Sequence, residues 1–304
     1  MTPLTLQLDR PTLLGLAAIL LWSSTVALAR SIAEQVGPLT AGAVVYLVAG
    51  LLLAASFWIK EQSFKKLRKL PRLYLWGCGV LFVLYTIALF FALGLATNRH
   101  QTLEIGLLNY LWPAFTLLFS LVILNKRAGW GLIPGTLLAL AGVFLVLTQG
   151  AAVSWTSFLT NFLSNPLAYS LGVVAAVAWG LYSNLARRWG GPDSSGAVLL
   201  FTLGTGLAFL VIRLFDTEAG SWGLGVVIEI GFLALATALG YLFWDIAMRA
   251  GNMVLVASCS YLTPFFSTVV SSFYLRVLPG LNLWLGCLLI IAGSVWSWRS
   301  IDRK

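Results

Sequence analysis

Residues 106–120, GLLNYLWPAFTLLFS, are repeated in pattern at residues 257–271, ASCSYLTPFFSTVVS. At the same separation, residues 135–142, GTLLALAG, match residues 286–293, GCLLIIAG. Trp22 matches Trp179 at a slightly longer separation, as expected when insertions accumulate in connections. The chain is therefore predicted to be an internal duplication, with repeats at residues 1–150 and 151–304.

The composition indicates an integral membrane protein. Apolar residues make up 60% of the chain and charged residues 10%, against about 25% charged residues in soluble domains. Mean hydropathy is +0.92. The uncharged runs are long enough to cross a bilayer, and they predict an all-α fold of ten transmembrane helices. An odd number of helices per repeat makes the second five-helix repeat inverted relative to the first, with a central cavity between them.

The positive charges predict the orientation. With both termini in the cytoplasm, most of the 19 lysines and arginines, including the cluster at residues 60–72, lie on the inner side. Topology therefore accounts for the net charge of +9, and we expect membrane lipid rather than nucleic acid as a partner. No obligate protein partner is evident. The three cysteines lack metal-like spacing, and neither a metal nor a cofactor is expected.

Two equivalent prolines predict helix kinks near the middle of the membrane. Pro113 and Pro264 each remove a backbone hydrogen bond and free the carbonyl group four residues earlier, on Asn109 and Ser260. Repeat-built transporters hold substrate at such interruptions. The alternative is that the kinks only shape helix packing.

Aromatic and small polar side chains near these kinks are candidates for binding a solute by ring contacts and hydrogen bonds. The alternative for any one aromatic residue is a lipid-facing position, because the chain has 13 Trp, 9 Tyr and 18 Phe residues. The predicted substrate-binding residues are Trp22, Ser23, Tyr85, Asn109, Tyr110, Trp179, Tyr182, Ser260 and Tyr261.

Ionisable residues within membrane spans are costly, which makes them candidates for function. His100 and Glu104 are four residues apart and close enough on a helix to pair. They are predicted to have a gating or proton-linked role, with a structural pair as the alternative. Asp245 and Arg249 have the same spacing and are expected to form an ordinary pair at a helix end.

The residues also resemble a known family. Ten helices in two inverted repeats resemble the drug/metabolite transporter superfamily with EamA-type repeats. Within it, residues 96–113, ATNRHQTLEIGLLNYLWP, together with residues 21–23, LWS, are similar to YddG-type aromatic amino acid exporters. The resemblance implies an inner-membrane exporter of phenylalanine, tyrosine, tryptophan and other neutral amino acids. The matching positions are His100, Glu104, Asn109, Tyr110, Trp112 and Pro113.

The leading hypothesis is therefore a secondary transporter that works by alternating access. The chain has no GxxxxGK[ST] sequence for binding ATP, so a gradient of solute or of protons is the expected energy source. An exporter of other metabolites or drugs, a lipid flippase and a channel remain alternatives on the same fold. An enzyme is not expected, because the single histidine and the few acidic residues offer no catalytic cluster.

Overall fold

The computed structural model describes residues 9–61, 63–148, 155–191, 194, 196–275 and 280–301. The predicted boundary between the repeats, at residues 150 and 151, lies outside the described residues. The described chain is helical, apart from connections and an isolated bridge between Ala128 and Ile301.

The helices follow one another in a single series. They are α1 (Arg10–Val36), α2 (Pro38–Glu61), α3 (Gly79–Gly94), α4 (Arg99–Asn109), α5 (Trp112–Ile123), α6 (Leu132–Leu147), α7 (Trp155–Ser164), α8 (Pro166–Trp189), α9 (Ala197–Arg213), α10 (Leu224–Ala250), α11 (Met253–Cys259), α12 (Thr263–Leu275) and α13 (Leu281–Arg299). A 3₁₀ segment, Phe64–Lys69, follows α2, and a π-helical turn, Tyr74–Cys78, leads into α3.

Seven helical stretches of the described chain are long and apolar enough to cross a membrane. They are Pro38–Glu61, Tyr74–Gly94, His100–Ile123, Pro166–Trp189, Leu224–Ala250, Met253–Val270 and Leu281–Arg299. Helices α6 and α9 are apolar but shorter. The protein is thus an all-α, multi-pass membrane protein.

Helices from the first part of the chain pack on helices from the second part. The most extensive contacts are those of α1 with α10, α2 with α9, α3 with α8, and α6 with α13. Further pairs of this kind are α5 with α8, α2 with α10, α1 with α12 and α3 with α9. The bundle is therefore held together mainly by contacts between distant parts of the sequence.

Two membrane stretches are interrupted where the prolines predict kinks. Tyr110 and Leu111 separate α4 from α5, and Pro113 is the second residue of α5. A proline fits the first turn of a helix because the amide hydrogen it lacks would have no partner there. The hydroxyl of Thr116 donates to the Trp112 carbonyl at 2.8 Å.

The second interruption is built differently. A 3₁₀ turn, Ser260–Leu262, separates α11 from α12, and Pro264 is the second residue of α12. The hydroxyl of Thr263 donates to the Ser260 carbonyl at 2.7 Å. This carbonyl, which Pro264 deprives of its helical donor, therefore has a partner within the turn.

Glycines allow α6 and α13 to approach closely. A Cβ atom on Gly142 would lie 2.5 Å from the Gly286 carbonyl oxygen, and one on Gly293 would lie 2.4 Å from the Ala139 nitrogen. Backbone atoms cannot move aside as the end of a flexible side chain can. The matching glycines noted in the sequence therefore form one helix contact, of the kind that small residues allow in membranes.

We expect Gly293→Ala to destabilise the protein by about 1–3 kcal/mol, because the added methyl group overpacks the contact between α6 and α13. Thermal unfolding of the purified protein in detergent measures the effect. Gly231→Ala is the matched control, since a Cβ atom on Gly231 meets nothing within 4 Å. Equal unfolding temperatures for the two variants would contradict this account of the contact.

Candidate functional site

A cavity of about 390 Å³ lies between α1, α2, α3, α9 and α10. It occupies the half of the bundle that contains the connection between α1 and α2, and it reaches Pro38 at the start of α2. Its volume lies within the range of roughly 300–1,000 Å³ that is usual for small-molecule sites. The wall includes Trp22, Thr25, Tyr46, Tyr85, Thr86, Phe90, Phe209, Thr237 and Tyr241.

A carboxylate fixes the helix ends beside this cavity. Glu218, in the connection after α9, accepts hydrogen bonds from the backbone nitrogens of Leu39 at 2.7 Å and Thr40 at 2.8 Å. The Thr40 hydroxyl also donates to it, at 2.7 Å. A carboxylate at a helix N-terminus satisfies free amide hydrogens and interacts favourably with the helix dipole. Glu218 thus ties the start of α2 to the end of α9.

An aromatic cluster closes the cavity at the end that lies deep in the bundle, away from Pro38. We define it as Trp22, Phe82, Tyr85, Trp112, Trp179, Tyr241 and Trp244, which come from α1, α3, α5, α8 and α10. The Trp22 ring lies at the centre, with centroid distances of 5.7 Å to Trp179 and 5.2 Å to Trp244. The ring of Trp179 is 4.6 Å from that of Tyr85.

The cluster has two layers. Trp22, Tyr85 and Tyr241 face the cavity, whereas Trp179 and Trp244 are buried beneath them at 2% and 0% exposure. The cavity therefore presents ring faces and edges to a solute, supported by a second layer of rings.

Apart from the Trp22 indole, the polar side-chain groups in the cavity wall are hydroxyls. The hydroxyls of Tyr46 and Tyr241 are hydrogen-bonded to each other at 2.7 Å. The side chain of Asn109 lies beside the Tyr85 hydroxyl, and within the described part of the chain its Oδ1 atom is buried without a hydrogen-bond partner. An unpaired buried carbonyl oxygen is costly, but Asn109 does not belong to the cavity wall, so a ligand reaches this oxygen only when Tyr85 moves.

The structure brings together only part of the predicted site. Trp22 and Tyr85 line the cavity, and Asn109 lies just behind Tyr85. Trp179 lies in the second layer of the aromatic cluster. Four further residues do not line this cavity and are buried elsewhere: Ser23, Tyr182, Ser260 and Tyr261.

These four side chains have other surroundings. The Ser23 hydroxyl donates to carbonyls of Ile19 and Thr263, and the Ser260 hydroxyl donates to the Ala257 carbonyl at 2.6 Å. Tyr261 packs in a separate core beside α6 and α13, and the half-buried Tyr110 packs against that core. In this conformation, the small polar residues at the second interruption therefore stabilise their own helix.

His100 and Glu104 do not form the expected pair among the described residues. The Glu104 carboxylate is buried at 1% exposure and accepts hydrogen bonds from the Tyr169 hydroxyl and from Asn161 Nδ2. His100 is exposed. Glu104 thus links α4 to α7 and α8, because these two polar partners lie nearer than the imidazole.

The pair formed by Asp245 and Arg249 is more than an ordinary helix-end contact. Arg249 Nε lies 2.8 Å from Asp245 Oδ2, and their side chains are only 4% and 2% exposed. The hydroxyls of Tyr74 and Tyr182 donate to Asp245 Oδ1 at 2.6 Å and 3.1 Å. This buried network lies on the side of the aromatic cluster away from the cavity and joins α8, α10 and the turn before α3.

Sequence reasoning missed Tyr46, Thr86, Thr237 and Tyr241 as cavity residues. None of them belongs to the repeat segments matched above, but Thr86 and Thr237 have the same separation in sequence as Pro113 and Pro264, a signal that the comparison of the repeats did not use. Residues 43–46 and 237–241 lie within long apolar runs, where a tyrosine can equally face lipid. Only the placement of α2 against α10 shows that the two hydroxyls meet.

A multi-pass helical bundle around an aromatic, solute-sized cavity has the architecture of a membrane transporter. The comparison with known proteins agrees and narrows the class. The chain belongs to the EamA-like transporter family, whose model matches residues 10–148 and 166–299. The resemblance noted in the sequence is thus confirmed.

Relatives span almost the whole chain. It is 32% identical to the aromatic amino acid exporter YddG of Escherichia coli strain K12, over 97% of this chain and 99% of that protein. It is 31% identical to the protein of the same name from Ancylobacter novellus, over 93% and 95% of the two chains. A solved crystal structure is similar with a TM-score of 0.78 and 28% identity, covering 94% of this chain and 96% of the other.

Asp245→Ala is expected to reduce the free energy of unfolding by about 3–5 kcal/mol, because it leaves the buried Arg249 guanidinium without its carboxylate. Denaturant unfolding in detergent micelles measures this loss. Glu61→Gln is the control, since its partner Lys66 is 60% exposed and such pairs contribute less than about 1 kcal/mol. Similar losses for both variants would contradict a special role for the network.

Proposed function

We propose that this protein exports aromatic amino acids, together with other neutral amino acids, across the inner membrane. The proposed arrangement has ten transmembrane helices in two inverted repeats, residues 1–150 and 151–304, with both termini in the cytoplasm. The pairing of helices across the chain supports it. The first set of five is α1, α2, α3, α4 with α5, and α6, and the second is α8, α9, α10, α11 with α12, and α13. Exchanging the two sets leaves the list of main helix pairs unchanged.

The observation that carries the proposal is the cavity of about 390 Å³ whose inner end is formed by Trp22, Tyr85 and Tyr241. Rings in this position can stack on, or meet edge-on, the side chain of an aromatic solute. The relatives named aromatic amino acid exporter YddG, which align over nearly the whole chain, point to the same class of substrate.

Recognition of the amino acid backbone is assigned to Asn109 and the surrounding hydroxyls. When the Tyr85 side chain moves aside, the Oδ1 atom of Asn109 accepts a hydrogen bond from the ammonium group of the substrate. The hydroxyls of Tyr46 and Tyr241 can reorient to donate to its carboxylate. In the conformation that is open to the cytoplasm, the freed carbonyl groups near Pro113 and Pro264 add further hydrogen-bond acceptors. The substrate path in that conformation also includes Ser23, Tyr110, Trp179, Tyr182, Ser260 and Tyr261.

The position of the aromatic cluster supports alternating access as the mechanism. With both termini in the cytoplasm, the cavity opens toward the outer face, and the cluster and the Asp245 network close the inner side. Export then requires α1, α8 and α10 to separate on the cytoplasmic side of Trp22, so that substrate enters from the cytoplasm. His100 and Glu104 are the candidate residues for coupling this motion to protons.

The first test is uptake of radiolabelled tryptophan and phenylalanine by liposomes containing the purified protein, at equal pH inside and outside. We expect flux that saturates, is inhibited by other neutral amino acids and accelerates when unlabelled substrate is present on the opposite side. Flux equal to that of empty liposomes would refute amino acid transport. Flux without acceleration from the opposite side would indicate a channel.

Trp22→Ala is expected to raise the tryptophan concentration for half-maximal flux by about tenfold, because it removes the central ring from the end of the cavity. Trp130→Ala, at a fully exposed tryptophan (100% exposure), is the matched control. If both variants transport with the same concentration dependence, the aromatic cluster does not bind the substrate.

Asn109→Ala is expected to lower flux for every amino acid without lowering the unfolding temperature, because its Oδ1 atom has no partner in the described structure. The measurement combines transport with thermal unfolding of the same preparation. Normal flux would exclude Asn109 from recognition of the substrate ammonium group.

A further inference from the structure

An apolar groove of about 620 Å³ runs along the outside of the bundle between α3 and α9. Its walls include Trp76, Val80 and Val83 on one side and Leu200 and Gly204 on the other. Trp76 and Val80 are 70% and 62% exposed, so they face the surrounding lipid. A groove of this composition accommodates a hydrocarbon chain.

A basic segment lies at one end of this groove. The 3₁₀ segment Phe64–Lys69 carries Lys65, Arg68 and Lys69, and Arg72 follows it. All four are exposed, and none has a carboxylate partner within the described chain. Lys66 differs, because it pairs with Glu61.

Packing fixes the basic segment in place. The Phe64 ring lies 6.0 Å from Phe57 and 5.3 Å from Trp58, both on α2. Leu67 lies over the start of α9, since a Cβ atom on Gly196 would be 2.7 Å from its side chain. The segment is thus held by apolar contacts, which leave its cations free to bind an anion.

The groove and the basic segment meet at both walls. Arg72 precedes Trp76 by four residues, about one helical turn, on the path into α3. On the other side, Gly196 precedes Leu200 by four residues, and Gly196 is where Leu67 of the basic segment packs. A molecule with a charged end at Arg72 can therefore extend its apolar part directly between α3 and α9.

We propose that the groove and the basic segment together form a site for an anionic phospholipid. The phosphate group lies against Lys69 and Arg72, and one acyl chain lies along Val80, Val83 and Gly204. Clusters of basic residues beside a membrane helix attract anionic head groups, and the groove adds contacts for the acyl chain. A zwitterionic lipid gains the chain contacts but little from the cations.

The occupant also contacts the transport bundle. Phe201 lines the groove, and its ring lies 5.7 Å from Tyr74 and 5.8 Å from Phe82. Phe82 belongs to the aromatic cluster, and Tyr74 donates to Asp245. A bound lipid therefore packs on the lipid-facing side of Phe201, which contacts the aromatic cluster at the end of the cavity.

The test is native mass spectrometry of the full-length protein in detergent with palmitoyl-oleoyl phosphatidylglycerol or phosphatidylcholine. We expect phosphatidylglycerol to bind more tightly, and the double variant Lys69→Gln with Arg72→Gln to weaken it by about 25-fold, since each basic residue contributes roughly fivefold. Arg127→Gln with Arg299→Gln removes the same charge elsewhere and should change binding little. Soluble glycerol phosphate should not displace the lipid.

Gly204→Leu tests the groove. A Cβ atom there would lie 3.9 Å from Val83, so the backbone accepts a side chain at this position, and a leucine that extends into the groove should weaken the binding of both lipids. Gly231→Leu adds the same side chain at an open position and is the control. Equal affinity for the two lipids in the wild-type protein would overturn the head-group assignment. Unchanged lipid binding by Gly204→Leu would overturn the assignment of the groove to a lipid. A dimer of the wild-type protein that Gly204→Leu dissociates would overturn it too, because a second copy of the chain would then occupy the groove.

Discussion

The structure depends on one constraint: a polar group inside the membrane bundle must find its partner within the protein, because hydrocarbon offers none. Helices satisfy this condition for most of the backbone. Where a proline breaks the pattern, hydroxyls take over, as Thr263 does for the Ser260 carbonyl. Buried charges obey the same rule, since Asp245 is surrounded by Arg249 and two tyrosine hydroxyls.

This constraint also shows how the two interruptions have diverged. Around Pro264 the hydroxyls of the buried Ser260 and of Thr263 donate to backbone carbonyls of their own turn, whereas the Tyr261 hydroxyl is buried without a partner in the described structure. Around Pro113 the Asn109 side chain has a buried oxygen that is unpaired within the described structure. The equivalent positions Asn109 and Ser260 therefore have different roles in this conformation. The second interruption stabilises its own helix, whereas the first lies beside the cavity.

The sequence predicts the membrane class, the two helix interruptions and the family, because long apolar runs, Pro113 and Pro264, and residues 96–113 leave local signals. It also identifies Trp22 and Tyr85 as cavity residues. It cannot separate these from Tyr182, whose hydroxyl is used by Asp245, or identify Tyr46 and Tyr241. Whether an aromatic side chain faces lipid, cavity or a buried carboxylate depends on contacts between helices that are distant in sequence.

Glu218 limits the motions open to the cavity mouth. Its three hydrogen bonds join the connection after α9 to the first turn of α2, and Arg213 Nε reinforces the joint by donating to the Thr40 hydroxyl at 2.9 Å. A motion that narrows the mouth must either carry α2 and α9 together or break all these bonds at once. The same connection also holds α1, because Ser221 N donates to the Gln35 carbonyl at 2.9 Å, and α1 is bound to α10 by the hydrogen bond from the Ser31 hydroxyl to Glu229 at 2.9 Å. Within the described structure, α3 is therefore the wall of the mouth that none of these hydrogen bonds restrains.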